Sequence, residues 1–289
     1  ISPEAPVPVV DIDREENVAG GAANVALNLK CLGASVEVCG WGGRDPNGDA
    51  LDSLLNKSKI TINKRFKKKS ISTIVKTRVM VRNQQLCRLD QECQPESYNM
   101  SNEDIEWIVR KSQEKDIVIF SDYGKGVMSN ELINSIQNSN SNTKPIMVMD
   151  PKPRRLIKHK HLDLITPNRS EALELAGIDI QPHEDFPAKK VCKKIYEQYK
   201  PKYLVITLGE EGMLLSERGK VDLKIPTTAT EVFDVSGAGD TVIATLSLML
   251  ACGAKIQEAA KIANLAAGIV VKKVGTATVS CEELISSQH

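Results

Sequence analysis

The sequence predicts an α/β fold: a mostly parallel central sheet flanked by helices, with a small separate β-sheet acting as a lid. Two observations carry this. First, the short apolar runs Ile117–Phe120, Ile146–Met149, Leu162–Thr166 and Tyr203–Thr207 each end in a polar or glycine-rich turn, with helical patterns between them. Apolar strands separated by helices are buried on both faces, as parallel strands are. Second, residues 72–92 alternate. Thr73, Val75, Thr77, Val79 and Val81 share one face, while Ile74, Lys76, Arg78, Met80 and Arg82 share the other, the period of an antiparallel sheet. Ala5–Asp13 alternates in the same way. Together the two segments predict the lid, with a hairpin turn at Asn83-Gln84-Gln85.

Composition bounds the rest. With 289 residues the chain fits one large domain or two unequal ones. Charged residues make up 26% and apolar residues 41%, the balance of a soluble globular chain. A net charge of +1 argues against a general nucleic-acid binder. The seven cysteines include no C-x-x-C pair, which suits free thiols in a reducing cytoplasm and gives no zinc spacing. No signal peptide opens the chain, and the longest apolar run, Thr241–Cys252, is too short to span a bilayer. The expectation is therefore a cytoplasmic protein with no membrane partner. Lys64–Lys69 and Gln137–Lys144 read as solvated surface loops.

In an open α/β sheet, ligands bind beyond the carboxyl ends of the strands. Asp122, Lys125, Asp150, Lys152, Asn168 and Glu171 cluster at those ends. Further on, Glu231–Leu250 places the turn Ser236-Gly237-Ala238-Gly239 at the start of a helix that ends near Gly253. The first N–H groups of a helix lack internal partners and its dipole is positive there, so the turn suits an anion such as a phosphate. Asp240 in the first turn would repel a phosphate that merely binds. It makes sense facing a hydroxyl whose proton it removes as that hydroxyl attacks phosphorus. The simpler alternative is an acid that only favours the dipole.

Three weaker motifs accompany it. Ala19–Gly33 is a glycine-rich turn and a helix with Val25, Leu29 and Leu32 on its apolar face, closed by Gly33. It matches neither a P-loop nor a dinucleotide fingerprint. Gly20 and Gly21 permit close backbone approach, and Asn24 suits a sugar hydroxyl, or is simply a residue near a helix start. Thr166–Gly177 gives Asn168 and Glu171 the spacing of a capping pair, with Glu171 alternatively reaching magnesium-bound water. Thr207–Gly212 is a strand end running into a turn that could pass a nucleotide.

In this order the motifs resemble the ribokinase-type (PfkB) carbohydrate kinases. The N-terminal signature fits from Ala19 through Asn24 and Gly33 to Gly43, and the C-terminal one fits Asp234–Asp240. Ile1–Val10, Thr77–Glu92, Ser121–Gly126 and Val274–Ser280 further resemble the heptose 7-phosphate kinases within that family. The resemblance covers essentially the whole chain and implies a single ribokinase-like domain over 1–289. It implies phosphoryl transfer from ATP to the anomeric hydroxyl of D-glycero-D-manno-heptose 7-phosphate, in the synthesis of ADP-heptose for lipopolysaccharide. It implies Asp240 as base, with the N–H groups of Gly237, Ala238 and Gly239 on the transferring phosphoryl. Gly20, Gly21 and Asn24 would hold the sugar. Asn168 and Glu171 would serve the magnesium and phosphate region, and Thr207, Gly209, Gly212 and Asn264 the nucleotide. Asp234 and Ser236 would hold a monovalent cation, potassium in some relatives. For the substrate's own phosphate the candidates are Arg78, Arg82, Arg88, Lys125 and Lys152, arginine being favoured for its bidentate fork.

A lid of this kind also excludes water, and in relatives it pairs across a homodimer. One departure stands out: the family's opening strand with its G-D-x-x-x-D acid has no counterpart before Ile1. In many bacteria such a kinase is fused to a nucleotidyltransferase domain; the resemblance here is to the kinase alone, with a functional link to a separate nucleotidyltransferase left open. Rival readings are another PfkB-type kinase, for a different sugar phosphate or a nucleoside, and a non-catalytic nucleotide or sugar-phosphate sensor. The basic lid face favours a phosphorylated sugar, and a pure sensor has no need of Asp240. The bland reading of the same face is an edge strand protected by Lys and Arg.

Overall fold

The computed structural model describes residues 9–81, 84–139, 144–153, 160–181, 184–229 and 231–287. In chain order, α1 (Ala22–Cys31) leads to β1 (Glu37–Val38), β2 (Gly42–Gly43), α2 (Pro46–Lys57), β3 (Thr61–Ile62) and β4 (Lys67–Lys68). The hairpin β5 (Val75–Val81) and β6 (Gln84–Gln91) follows, then α3 (Asn102–Ser112), β7 (Ile117–Ser121), α4 (Asn130–Gln137) and β8 (Ile146–Asp150). The rest is β9 (Leu164–Ile165), α5 (Arg169–Ala176), α6 (Ala188–Tyr199), β10 (Tyr203–Thr207), β11 (Met213–Glu217), β12 (Lys220–Ile225), α7 (Ala238–Ala251), α8 (Ile256–Val270) and α9 (Cys281–Ser286).

The four apolar runs are the parallel heart of a six-stranded sheet ordered β12-β11-β10-β9-β8-β7. β7 through β10 pair in parallel and β11 and β12 antiparallel. Strand alternation sends successive side chains to opposite layers. Met147 and Met149 pack with Ile133 and Ile136 of α4 and Val191 and Ile195 of α6. Val148 packs instead with Val25 and Leu29 of α1 and Val242, Ile243 and Leu246 of α7. Leu204 and Ile206 join the first layer and Val205 the second. A strand covered on both faces has no place for a polar residue, which is why these runs read as apolar.

The small separate sheet is present as an antiparallel hairpin, with Arg78 opposite Arg88 and a bulge between Val79 and Met80. Three expectations are corrected. Residues 9–13, the described part of the expected strand 5–13, form no strand and are exposed. Asp11 and Asp13 alternate there with apolar residues, but none of the described strands pairs with this segment. Gln84 and Gln85 are already strand residues, paired with Val81 and Met80, rather than turn residues; Asn83 and the candidate Arg82 lie outside the described residues. Lys64–Lys69 is not a solvated loop. Phe66 is buried and sits edge-on between Trp41 and Trp107, and Lys67 and Lys68 form β4 against Gly42 and Gly43. Lys67 pairs with Asp52, Arg65 with Asp104, and Lys68 stacks over Trp41. Long basic side chains bury their stems along the apolar cluster while their heads find partners.

Candidate functional site

The turn expected to face an anion begins α7. Gly237 is its N-cap, in the left-handed region at φ 80°, and no side chain caps the helix start. A Cβ at Gly237 would stand 2.7 Å from Asn24 Nδ2, so both conformation and space require glycine. The Ala238 N–H is used inside the turn, donating to Val235 O at 3.2 Å. That leaves Gly237 and Gly239 to carry most of the expectation for this turn. Asp234 braces it from below: its carboxylate accepts from Ser236 N at 2.8 Å and Gly275 N at 3.0 Å. Burial would raise Asp234, but these groups and the nearby Arg78 guanidinium outweigh it and hold the carboxyl below its usual range. Arg78 is thus near enough for its charge to act on Asp234.

Asp240 lies in the first turn of α7 and is 8% exposed. Asn24 Nδ2 donates to its Oδ2 at 2.8 Å, and the Tyr123 hydroxyl donates to its Oδ1 at 2.6 Å. Burial pushes the carboxyl above its usual range, and the two hydrogen bonds pull the other way. Asn24 is held in turn: Asn28 Nδ2 donates to Asn24 O at 3.0 Å and reaches Asn24 Oδ1 at 3.4 Å, and the Thr241 hydroxyl donates to Asn28 Oδ1 at 3.1 Å. These buried polar groups join α1 to α7. The Asn24 amide expected to hold a sugar is thus engaged with Asp240. Gly20 has open space where a Cβ would be, and Gly21, at φ 56°, lies against the Tyr123 ring. Thr276 Oγ1 donates to Ala19 O at 3.1 Å and fixes this turn beside the Gly237 turn.

At the sheet end, Asn168 and Glu171 form a reciprocal capping box on α5, at 3.0 and 2.9 Å. Glu171 Oε1 also accepts from Lys152 Nζ at 3.0 Å, so Lys152 is paired rather than free for a phosphate. Asp150 ends β8 close to them; burial, then Glu171 and Asp240, push its carboxyl well above the usual range, against Lys152. Among the described residues, no three His, Cys, Asp or Glu side chains are placed to hold a metal ion.

Thr207 bridges in parallel to Asn168, and the Gly209–Glu211 turn follows, closed by Gly212 at φ 86°. A Cβ at Gly212 would meet Ile225 O at 2.1 Å. Asn264 Nδ2 donates to Pro226 O at 2.8 Å, which ties α8 to the loop after β12 beside that turn. In the lid, Arg88 pairs with Asp90 at 2.7 Å, and Lys125 pairs with Glu92. Among the described residues, Arg78 Nη1 donates to Lys76 O at 3.5 Å.

The sequence reading missed Tyr123, Asn28 and Thr241. Tyr123 sits in a turn set by Gly124 N donating to Asp122 Oδ1 and by Asp122 N donating to Asp150 O. A lone aromatic beside glycines at a parallel strand's carboxyl end is the one signal that could have found it.

Residues 2–283 match the family described as pfkB family carbohydrate kinase. A Bifunctional protein HldE from Desulfatibacillum aliphaticivorans is 41% identical over 288 residues, 98% of this chain and 58% of that protein. The protein of the same name from Actinobacillus succinogenes is 42% identical over 291 residues, 100% of this chain and 59% of that protein. The chain thus spans less than two thirds of the length of these curated relatives. Among solved structures, ribokinase from Thermotoga maritima superposes with a TM-score of 0.73 at 20% identity, over 93% of this chain and 87% of that one. Phosphofructokinase-2 from Escherichia coli in complex with potassium superposes with a TM-score of 0.73 at 19% identity, over 92% and 85%. At such identities the likeness shows the fold, which is the ribokinase-like one expected.

Proposed function

Because the chain belongs to the pfkB family of carbohydrate kinases, we propose that it transfers the terminal phosphoryl group of ATP to the anomeric hydroxyl of a heptose 7-phosphate, giving the 1,7-bisphosphate. The observation that carries the reaction type is Asp240: a buried carboxylate beside an uncapped helix start, held by two donors and raised by burial above its usual range. A buried carboxylate of raised pKa accepts a proton more readily than an exposed one. The acceptor hydroxyl would lie against Asp240 and the transferring phosphoryl against the Gly237–Gly239 turn, where N–H groups and the helix dipole favour the charge that develops.

Heptose 7-phosphate as acceptor rests on the resemblance of the lid and of Ser121–Gly126, supported by the relatives named above. Arg78 is the favoured partner of the sugar's phosphate, since Arg88, Lys125 and Lys152 are in direct ion pairs with carboxylates, whereas Arg78 acts on Asp234 only through space. ATP would pass over Thr207, Gly209 and Gly212 towards Asn168, with Asn264 behind. Magnesium would neutralise charge on the nucleotide phosphates. Glu171, with both oxygens hydrogen-bonded, fits a role through metal-bound water rather than direct ligation. Asp234 and Ser236 would take potassium only if Arg78 moved away, since its charge already faces Asp234.

The exposed Met80, Val81, Leu86 and Leu89 of the hairpin support a homodimer through the lid. A nucleotidyltransferase activity would then consume the product, and a cytoplasmic setting would supply ATP. No helix among the described residues is long and apolar enough to cross a membrane.

The test is ADP release with magnesium-ATP, run in parallel on heptose 7-phosphate, fructose 6-phosphate, ribose and adenosine. Turnover confined to the heptose phosphate is expected. Turnover only on another acceptor would remove the heptose assignment. ATP binding without turnover on any acceptor would favour a sensor.

A further inference from the structure

Tyr123 is placed unusually for a surface aromatic. Its residue is 39% exposed, yet its hydroxyl turns inward and donates to the buried Asp240 carboxylate at 2.6 Å. An exposed tyrosine ordinarily leaves its hydroxyl in water, so this inward turn needs a cause. Three local features supply one. Asp122 accepts from Gly124 N at 2.8 Å and donates its own N–H to Asp150 O at 3.1 Å, which aims the turn at α7. Gly124, at φ 67°, lets the chain reverse directly after the tyrosine. Gly21 gives the ring room, since a Cβ there would stand 3.1 Å from Tyr123 Cε2.

We propose that Tyr123 is a positioning residue for Asp240: its hydroxyl clamps one carboxylate oxygen and thereby fixes which lone pair meets the acceptor hydroxyl and how readily it takes that proton. The proposal rests on Asp240 acting as the base. Tyr123 and Asn24 hold opposite oxygens, so the carboxylate cannot rotate without losing both bonds. A carboxylate offers about four lone-pair sites, so one on each oxygen remains for the incoming hydroxyl. The clamp also sets basicity. Burial favours the protonated acid, whereas a donor to the carboxylate favours the ion. Asp240 is acted on first by burial, then by Tyr123 from the loop after β7 and Asn24 from α1. Behind it stand Asp150 at the end of β8, with Asp122, Glu171 and Lys152 around that residue. With Tyr123 in place, the buried base stays ionised to lower pH than its burial alone would allow.

The measurement is a carboxyl carbon-13 NMR titration of Asp240, assigned by its loss in Asp240→Asn. It is run on the wild type, on Tyr123→Phe, and on protein carrying 3-fluorotyrosine at position 123. Removing the hydroxyl should move the Asp240 midpoint upward by about one pH unit. The fluorinated phenol is a stronger donor and should move it downward. The acid limb of kcat/KM should follow in the same two directions, with kcat for Tyr123→Phe about tenfold lower and the KM for ATP unchanged. Coincident midpoints in all three proteins would overturn the proposal. So would shifted midpoints with unchanged kcat and an unchanged acid limb in active protein. If Tyr123→Phe failed to fold, the near-isosteric fluorotyrosine protein would decide alone. Shifted midpoints in proteins that turn over no acceptor would reject the kinase reading while upholding the clamp.

Discussion

The seam between α1 and α7 and the hairpin proposed as a lid are built in opposite ways. In the seam, the side chains of Asn24, Asn28 and Thr241 are buried, hydrogen-bonded and aligned on Asp240. In the hairpin, every residue of β6 is exposed, and Arg88 and Lys76 both pair with Asp90, while Lys125 from the loop after β7 pairs with Glu92 just past its end. Buried polar networks cost free energy unless fully satisfied, and once satisfied they hold one geometry. Exposed ion pairs are worth about 0–1 kcal/mol and exchange partners readily. On the proposed reading this is a division of labour: the proton-accepting centre would be built before substrate arrives, while recognition of the sugar phosphate would be completed by the substrate itself.

That contrast fixes where substitutions should act. Asp240→Asn should fold, bind ATP and lose roughly 10²–10⁴-fold in kcat, read by steady-state kinetics beside an ATP-binding titration. Gly237→Ala should follow, since it forces a left-handed φ onto alanine and sets a methyl against Asn24. It should destabilise by about 1–3 kcal/mol in denaturant unfolding and lower kcat as well. On the lid side, Arg78→Ala should raise the KM for the sugar phosphate roughly 10–100-fold, with the KM for ATP little changed. Equal effects on both substrates would count against a phosphate-binding lid.

Smaller still is a pH-dependent effect at Asp150. Its folded carboxyl lies well above the usual range, chiefly through burial and then through Glu171 and Asp240. A raised carboxyl favours the folded state when protonated and loses that contribution as pH rises through its folded value. Asp150→Asn should therefore raise Tm most at pH 8, and the gain should vanish below about pH 4, where the unfolded acid is protonated too. A gain constant with pH in thermal scans would contradict that origin. Arg88→Ala should change stability by no more than about 0.5 kcal/mol, because its partner Asp90 is on the surface.

The sheet was legible because burial on both faces leaves a local trace, the uninterrupted apolar run. The α5 capping box was legible because both partners lie within one turn. The seam was not, because its bonds join residues far apart in the chain: Asn24 to Asp240 across 216 positions and Tyr123 to Asp240 across 117. Sequence marked Asn24 as polar and near a ligand, but could not show that its amide serves Asp240. The basic run 64–69 misled for a related reason. Its charge count hid Phe66, whose burial between Trp41 and Trp107 draws the flanking lysines into the fold.

The measurement to make first is the steady-state kinetics of Asp240→Asn and Arg78→Ala side by side, with heptose 7-phosphate and ATP each varied. A preformed base beneath a substrate-completed lid predicts a collapse of kcat in the first variant and a rise confined to the sugar-phosphate KM in the second. Near-normal kcat in Asp240→Asn would contradict it, because a carboxylate held by Asn24 and Tyr123 would then have no part in the chemistry.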